Sequence, residues 1–257
     1  MTKPVLLRMK LGQILYSQGF GTRRMCASLI ESGSVMIDGT VCRDADAVFN
    51  TENLVVRVNN ELWPFYASAY IVLNKPTGYE CSHKPKHWPS VYSLLPAPLR
   101  DRPTKTATSG IQAIGRLDQD STGLLILSDD GQFIHRMASP KHHVPKVYDM
   151  TTAREITDEQ VTQLCAGVVL NDDPEPVAAI ACERVNSLHL KLTLGEGKYH
   201  QVKRMLAAVG NHVEVLHRSQ FGAFVLPSDL PEGEWRWLTA DELSAVSAAP
   251  LSLKERG

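Results

Sequence analysis

Three charged side chains stand in a turn-rich segment directly before an apolar run. Arg116, Asp118 and Asp120 precede residues 124–127, which read Leu-Leu-Ile-Leu and have the length of a buried strand. Loops held by such a strand often carry chemistry, so a carboxylate beside an arginine there is a candidate for a functional site. A solvated ion pair in a surface turn explains the same spacing equally well, so the residue types alone leave both alternatives open.

Two later segments carry further candidates. Residues 146–150 read Lys-Val-Tyr-Asp-Met and predict a strand, and residues 197–203 read Gly-Lys-Tyr-His-Gln-Val-Lys and lead into a predicted helix. The Gly-x-Gly-Lys at 195–198 is not a nucleotide-binding loop, because the flanking spacing is wrong and no Ser or Thr follows the lysine. A core tyrosine and a helix with a basic face would explain these segments without any function.

The composition is that of an ordinary globular protein with segregated charge. The 257 residues have a net charge of −1, but residues 75–148 carry ten basic against six acidic side chains, and 149–196 carry three against nine. A positive face opposite an acidic one can bind an anionic polymer without a basic isoelectric point. Five scattered cysteines and an N-terminus without an apolar signal core predict a cytoplasmic protein.

Local patterns predict the elements that must position these side chains. Thr22 caps a helix that stops at Gly33, and a hairpin follows with its turn at Asp38-Gly39. The remaining predictions are strands over 53–58 and 70–73, a loop without regular structure over 98–110, a helix over 132–138 capped by Asp129 or Asp130, a helix over 157–166 capped by Thr157, an acidic turn over 171–176, and strands over 177–182 and 188–194.

Several segments together resemble the motifs of the RsuA/RluA superfamily of pseudouridine synthases. They are Leu-Asn-Lys-Pro-Thr-Gly at 73–78, Gly-Arg-Leu-Asp at 115–118 with Ser-Thr-Gly-Leu-Leu at 121–125, Lys-Val-Tyr at 146–148, Gly-Lys-Tyr-His-Gln-Val-Lys at 197–203, and Leu-His-Arg at 216–218. The resemblance covers most of residues 10–242. It implies an α+β catalytic domain with a mixed, largely antiparallel sheet, and it implies no cofactor.

The resemblance also implies roles for individual side chains. The catalytic residues would be Asp118, Tyr148, which stacks on the target base, and Lys203, which pairs with Asp118 and keeps it ionised. The substrate-binding residues would be Arg116, which fills the space that the flipped base leaves, and Leu216, which forms a wall of the base pocket.

The first part of the chain resembles the S4 RNA-binding domain, in which a helix with paired basic residues precedes a hairpin. This implies RNA binding by Lys10 and by Arg23 and Arg24, which can clamp phosphates at an exposed helix start. Lys75, in the turn after the strand 70–73, would either bind substrate RNA or only support the turn. The expected organisation is an S4-like domain over 1–62, a linker over 63–67, a catalytic domain over 68–245 and a tail over 246–257.

The activity implied is the isomerisation of uridine to pseudouridine in 16S rRNA, with position 516 as the target, because the segments at 201–205 and 216–218 are most similar to the small-subunit branch. The substrate would be free rRNA or a small-subunit assembly particle, and the protein a monomer. Two alternatives stay open, which are a target in 23S rRNA and a non-catalytic rRNA-binding or ribosome-assembly protein. The pair His142-His143 has no third ligand at a suitable spacing, so no metal site is expected.

Overall fold

The computed structural model describes residues 8–104, 110–139, 142–171 and 173–248. The chain forms two compact units, of which the first holds the residues up to Ala69 together with Leu95–Gln112, and the second holds Tyr70–Leu94 and the residues from Ala113 onward. Of the predicted tail over 246–257, residues 249–257 lie outside the described part. No helix in the described part is long and apolar enough to cross a membrane.

The first unit combines short helices with short antiparallel strands. In chain order the elements are β1 (Arg8–Lys10), α1 (Leu11–Gln18), α2 (Arg23–Glu31), β2 (Val35–Ile37), β3 (Thr40–Val41), β4 (Val48–Asn50), β5 (Val55–Val58), β6 (Glu61–Pro64) and α3 (Ala97–Arg100). Four of the strands form a sheet in the order β3-β2-β5-β6, and β1 pairs with β4.

The predicted helix cap and the predicted hairpin turn of this unit are confirmed. Thr22 caps α2 by accepting a hydrogen bond from the N–H of Met25, and the helix ends just before Gly33, whose φ of +80° suits glycine. Asp38 and Gly39 both have positive φ, as the tight turn between β2 and β3 requires.

The prediction of an unstructured loop over 98–110 is wrong at its start. Helix α3 occupies Ala97–Arg100, and Arg102 is buried in the first unit. The guanidinium of Arg102 donates to the side-chain oxygen of Gln18 at 2.9 Å and to the carbonyl of Tyr66 at 2.8 Å. These charged hydrogen bonds attach the segment Leu95–Gln112 to the first unit. Residues 105–109 lie outside the described part.

The second unit is built on one large sheet. Its elements are β7 (Tyr70–Lys75), a 3-10 helix (Val91–Leu94), β8 (Gln112–Ile114), β9 (Thr122–Ser128), α4 (Gly131–Ala138), β10 (Lys146–Thr152), α5 (Asp158–Ala166), β11 (Val168–Leu170), β12 (Asp173–Val177), β13 (Ala181–Arg184), β14 (His189–Leu194), α6 (Gln201–Ala208), β15 (Val213–Phe221), β16 (Phe224–Val225), β17 (Trp235–Trp237) and α7 (Ala240–Val246).

The sheet of the second unit is mixed and largely antiparallel. Its main path runs β13-β14-β10-β15-β9-β7-β17, with β16 added on β15 and β8 on β9. Only the pair β9 and β15 is parallel along this path. Two clusters of buried apolar side chains stabilise the sheet, one with Tyr148 and Leu216 and the other with Phe133 and Phe221. The predicted fold class is therefore confirmed.

The helix caps of this unit were predicted correctly, whereas the secondary structure of the segment 171–182 was not. Asp130 caps α4, and Thr157 caps α5 through a reciprocal bond with Gln160. The predicted acidic turn over 171–176 is wrong, because β12 occupies Asp173–Val177 and pairs with β11. The predicted strand over 177–182 is wrong as well, since β12 ends where it should begin and β13 starts at Ala181.

Candidate active site

The loop between β8 and β9 holds Asp118 in a fixed backbone path. Gly115 and Gly123 border this loop with φ of +67° and +103°, values that favour glycine. A Cβ at Gly123 would lie 2.4 Å from the carbonyl oxygen of Arg218, so the parallel contact of β9 with β15 requires glycine there. The N–H of Ser121 donates to the carbonyl of Asp118 and closes a turn.

Lys75 supports this loop from inside the protein. It is fully buried, and its ammonium donates to the carbonyls of Ser121 at 2.8 Å, Pro76 at 3.0 Å and Gln119 at 3.4 Å. Burial lowers the pKa of Lys75, and the charges of Asp118 and Asp120 oppose that shift. Of the two alternatives raised by the sequence, these contacts favour support of the turn over substrate binding by this side chain.

The side chains of His200 and Lys203 meet the carboxylate of Asp118. Its Oδ1 lies 3.1 Å from Nε2 of His200, and its Oδ2 lies 3.3 Å from Nζ of Lys203. The same Nζ bonds both oxygens of Asp120, at 2.6 and 2.8 Å. The structure thus brings Lys203 to Asp118, as the resemblance implied, but the lysine is shared and its shorter bonds go to Asp120.

The contact between Lys203 and Asp120 shifts the pKa of both side chains. Burial alone would lower the pKa of Lys203, but the hydrogen bond with Asp120 and the charges of both carboxylates raise it overall. Burial alone would raise the pKa of Asp120, yet the hydrogen bond and charge of Lys203 lower it overall. The cluster therefore keeps its lysine protonated and the Asp120 carboxylate ionised at neutral pH.

His200 was not singled out as a site residue from the sequence. It stands just before α6 with φ of +47°, and its ring stacks on that of Tyr199 with centroids 3.8 Å apart. The left-handed backbone turns the imidazole toward Asp118 while the helix continues to Lys203. The only sequence signal was its place in the segment 197–203, since a single positive φ leaves no periodic pattern.

A cavity of about 360 Å³ opens beside Asp118 and has the size of a small-ligand site. Tyr148 and Leu216 line it from the adjacent strands β10 and β15, and both are buried. Arg116 also lines it and is exposed, with no hydrogen bond or ion pair inside the described part of the chain. The structure therefore brings Arg116, Asp118, Tyr148, Lys203 and Leu216 to one cavity.

Two cations at this cavity were missed from the sequence. Lys146 is buried over the ring of Phe221, and burial lowers its pKa to about 8, with the charge of Arg218 lowering it further and Glu196 opposing. Arg218 is also buried and donates through Nε to the carbonyl of Leu124 at 2.7 Å, while its Nη2 has no hydrogen-bond partner among the described residues. The cavity thus offers unused donors to a bound group.

The three side chains expected to bind RNA belong to the first unit. Arg23 and Arg24 are both exposed at the start of α2, and the Arg23 guanidinium lies 4.6 Å from the centroid of the Tyr16 ring. Lys10 forms a surface ion pair of 2.9 Å with Asp46. The described residues hold no group of three or more His, Cys, Asp or Glu side chains that could bind a metal.

Known proteins that are similar to this chain point to one family. A family model described as RNA pseudouridylate synthase matches residues 69–208. The chain is 37% identical over 238 residues to the ribosomal small subunit pseudouridine synthase A of Escherichia coli (strain K12), covering 93% of this chain and 100% of that one. It is 36% identical over 243 residues to the protein of the same name from Yersinia pestis, covering 95% and 100%. A crystal structure of a pseudouridylate synthase matches with a TM-score of 0.64 and 34% identity, over 93% of this chain and 99% of that one. The chain therefore belongs to the RNA pseudouridylate synthase family of isomerases.

Proposed function

We propose that this enzyme converts one uridine of 16S rRNA into pseudouridine, with position 516 as the target. The observation that supports this most directly is the single cavity that joins Asp118 to Tyr148 and Leu216. Relatives that align over their full length are named ribosomal small subunit pseudouridine synthase A, which favours the small subunit over 23S rRNA. A protein that only bound RNA would not need the charge cluster around Asp118.

The reaction requires a base outside its stack. The bond from ribose C1′ to uracil N1 breaks and a bond from C1′ to C5 forms, with no change of oxidation state and hence no need for a redox cofactor. Tyr148 supplies a flat ring and Leu216 an apolar wall for the flipped uracil. The exposed guanidinium of Arg116 fills the space left in the RNA.

Asp118 is the reactive group in this proposal. Attack at C1′, attack at C6 and abstraction of a ribose proton are three different routes, but each begins with an ionised carboxylate. Nζ of Lys203 and Nε2 of His200 hold that carboxylate in position, at 3.3 and 3.1 Å from its oxygens. Lys203→Met and Asp118→Asn should therefore slow the same step.

The first unit would hold the RNA. We assign an S4-like RNA-binding domain to residues 1–62, a linker to 63–67 and the catalytic domain to 68–245, with two adjustments, since β6 extends to Pro64 and Leu95–Gln112 belongs to the first unit. Arg23 and Arg24 are free of carboxylate partners in the described part of the chain, whereas the Lys10 ammonium already pairs with Asp46. We expect the two arginines to contribute more to RNA affinity than Lys10. A monomer in the cytoplasm that acts on rRNA or on a small-subunit particle completes the proposal.

Release of the hydrogen from uracil C5 tests the activity directly, because C1′ replaces that hydrogen in pseudouridine. The purified protein is mixed with 16S or 23S rRNA transcripts that carry tritium at C5 of uridine, alone or with small-subunit proteins. We expect about one equivalent of tritium per 16S transcript. Release from 23S alone would move the target, and release from neither RNA would contradict the enzymatic proposal.

A further inference from the structure

A second cavity of about 510 Å³ adjoins the first in the catalytic unit, and both have Asp118 in their walls. Its own walls come from the segment 80–88 and from Tyr199. None of the steps that act on the target uracil uses this second cavity. Its lining nevertheless has the features of a site for single-stranded RNA.

Two large aromatic side chains are exposed at this second cavity. Trp88 is 48% exposed and Tyr199 is 67% exposed. Exposure of such large apolar rings to water is unfavourable and is therefore informative. The Tyr199 ring is held in place by stacking on His200, with an angle of 18° between the rings. Exposed and oriented rings of this kind are the platforms on which nucleic-acid bases stack.

The segment that carries Trp88 is held in position by one carboxylate. Glu80 accepts hydrogen bonds from the backbone N–H groups of Lys86, His87 and Trp88, at 3.1, 2.9 and 3.0 Å. These bonds lower the pKa of Glu80, so its charge is engaged by the loop. The Trp88 ring therefore projects from a fixed backbone, which reduces the entropy lost on binding.

The charges around the second cavity suit a phosphate backbone. Lys84 and Lys86 are exposed on the segment 80–88, and Arg116 lines both cavities. The acids in the walls are already engaged, Asp118 and Asp120 by Lys203 and Glu80 by its three N–H groups. The ammonium groups of Lys84 and Lys86 can bind phosphates while the rings take a base.

We propose that this second cavity binds the nucleotide next to the target uridine, with its base stacked on Trp88 and Tyr199. The inference rests on the proposed function, because a strand that places its uridine beside Asp118 must place a neighbouring nucleotide within a few ångströms of that residue. Stacking there would hold the RNA open around the flipped base and would make recognition depend on an unpaired neighbour.

Abasic substitutions in the RNA test this subsite. The probe is a 16S rRNA fragment that contains the expected target uridine and binds the wild-type protein, made intact or with an abasic residue on the 5′ or the 3′ side of that uridine. We expect one abasic residue to lower kcat/KM roughly 5- to 150-fold for the wild-type protein. Trp88→Ala and Tyr199→Ala should lower kcat/KM on intact RNA and add little on the abasic RNA, whereas Trp88→Phe and Tyr199→Phe retain most of the activity. Val225→Ala, which removes exposed apolar surface outside both cavities, is the control.

Each combination of RNA (intact or abasic) and protein (wild type or variant) is measured for RNA affinity as well as for turnover. The two readouts separate the subsite proposal from the proposed function. Coupling between the abasic residue and Trp88 in affinity, without any tritium release, would support the subsite and contradict the proposed function. If turnover is normal and the loss in kcat/KM caused by the abasic residue simply multiplies the loss caused by each protein substitution, the function stands and the subsite is overturned. Multiplicative losses confined to Tyr199→Ala would show that this ring only positions His200.

Discussion

Lys203 balances the charge of the catalytic loop, because its ammonium lies between the carboxylates of Asp118 and Asp120. Removing that charge leaves two acids close together, and repulsion between like charges raises the pKa of at least one. Substitutions of this lysine and of the buried Lys146 test the charges at the site.

Lys203→Met is expected to lower kcat/KM roughly 10- to 100-fold near neutral pH, because Asp118 loses the ammonium that lies 3.3 Å from its Oδ2. Lys203 also lowers the pKa of the neighbouring Asp120, so its removal should raise that pKa and move the acid limb of the pH profile of kcat/KM to higher pH. Lys203→Arg keeps a cation at the site and should leave the acid limb nearly in place. An acid limb that is identical in Lys203→Met and the wild type would contradict the role given to this lysine.

Lys146 gives a prediction about stability, because burial lowers its pKa to about 8. Below that pH the lysine is charged in both the folded and the unfolded state, and burial of the charged ammonium destabilises the folded state. Between about pH 8 and 10.5 the unfolded state binds more protons, so the free energy of unfolding rises with pH. Lys146→Met should be more stable than the wild type at pH 7, by about 1–3 kcal/mol, and this difference should shrink toward pH 10.5.

Urea unfolding at several pH values measures this difference, with exposed Lys84→Met as the control that should change little. A Lys146→Met protein that is less stable than the wild type at neutral pH would show that the ammonium is stabilised in place.

At the scale of elements, the segment Leu95–Gln112 belongs to the first unit through α3 and Arg102. Gln18 is fully buried at the end of α1, and its side-chain oxygen also accepts from Trp63. A buried polar group of this kind is costly once its partner is removed. The attachment of the segment Leu95–Gln112 to the first unit therefore depends more on the side chain of Arg102 than on the short helix α3.

Arg102→Met should lower the free energy of unfolding by about 2–4 kcal/mol, because Gln18 and the carbonyl of Tyr66 lose a charged donor. Arg100→Met, two residues away and exposed, is the matched control and should change stability by less than about 0.5 kcal/mol. Equal effects of the two substitutions in thermal or urea unfolding would argue against this anchor.

Helix α2 gives a prediction about RNA binding. The double variant Arg23→Ala, Arg24→Ala should weaken binding of 16S rRNA and reduce the slope of log K against log salt by up to about 2, because two phosphate contacts are lost. The kcat at saturating RNA should stay close to that of the wild type. Arg57→Ala, an exposed arginine of the same unit, is the control. An unchanged salt slope in the double variant would remove α2 from the RNA interface.

At the scale of the whole molecule, the sequence predicted what local rules and a close family resemblance determine. The caps at Thr22, Asp130 and Thr157 were predictable, because each depends on a side chain and the three residues that follow it. The mixed sheet and the cluster of Asp118 with Lys203 came from the resemblance, since nothing local relates residues so far apart in the chain.

The features that were missed depend on long-range contacts or on single backbone angles. Strand β12 reads Asp-Pro-Glu-Pro-Val, and two prolines and two acids hide a strand that forms because β11 pairs with it. Arg102 resembles any loop arginine until Gln18 and Tyr66 surround it. The contact of His200 with Asp118 requires one residue in the left-handed region, which no sequence period predicts.

Pseudouridine mapping in cells tests whether Asp118 is required to isomerise a uridine of 16S rRNA. Pseudouridines are mapped by carbodiimide-dependent reverse-transcriptase stops in rRNA from cells that lack this gene, supplied with either the wild-type protein or Asp118→Asn. We expect one stop in 16S rRNA, at position 516, to be absent without the gene, restored by the wild type and still absent with Asp118→Asn, although that variant folds and binds RNA. Restoration of the stop by Asp118→Asn, or a map that does not change when the gene is removed, would contradict this account.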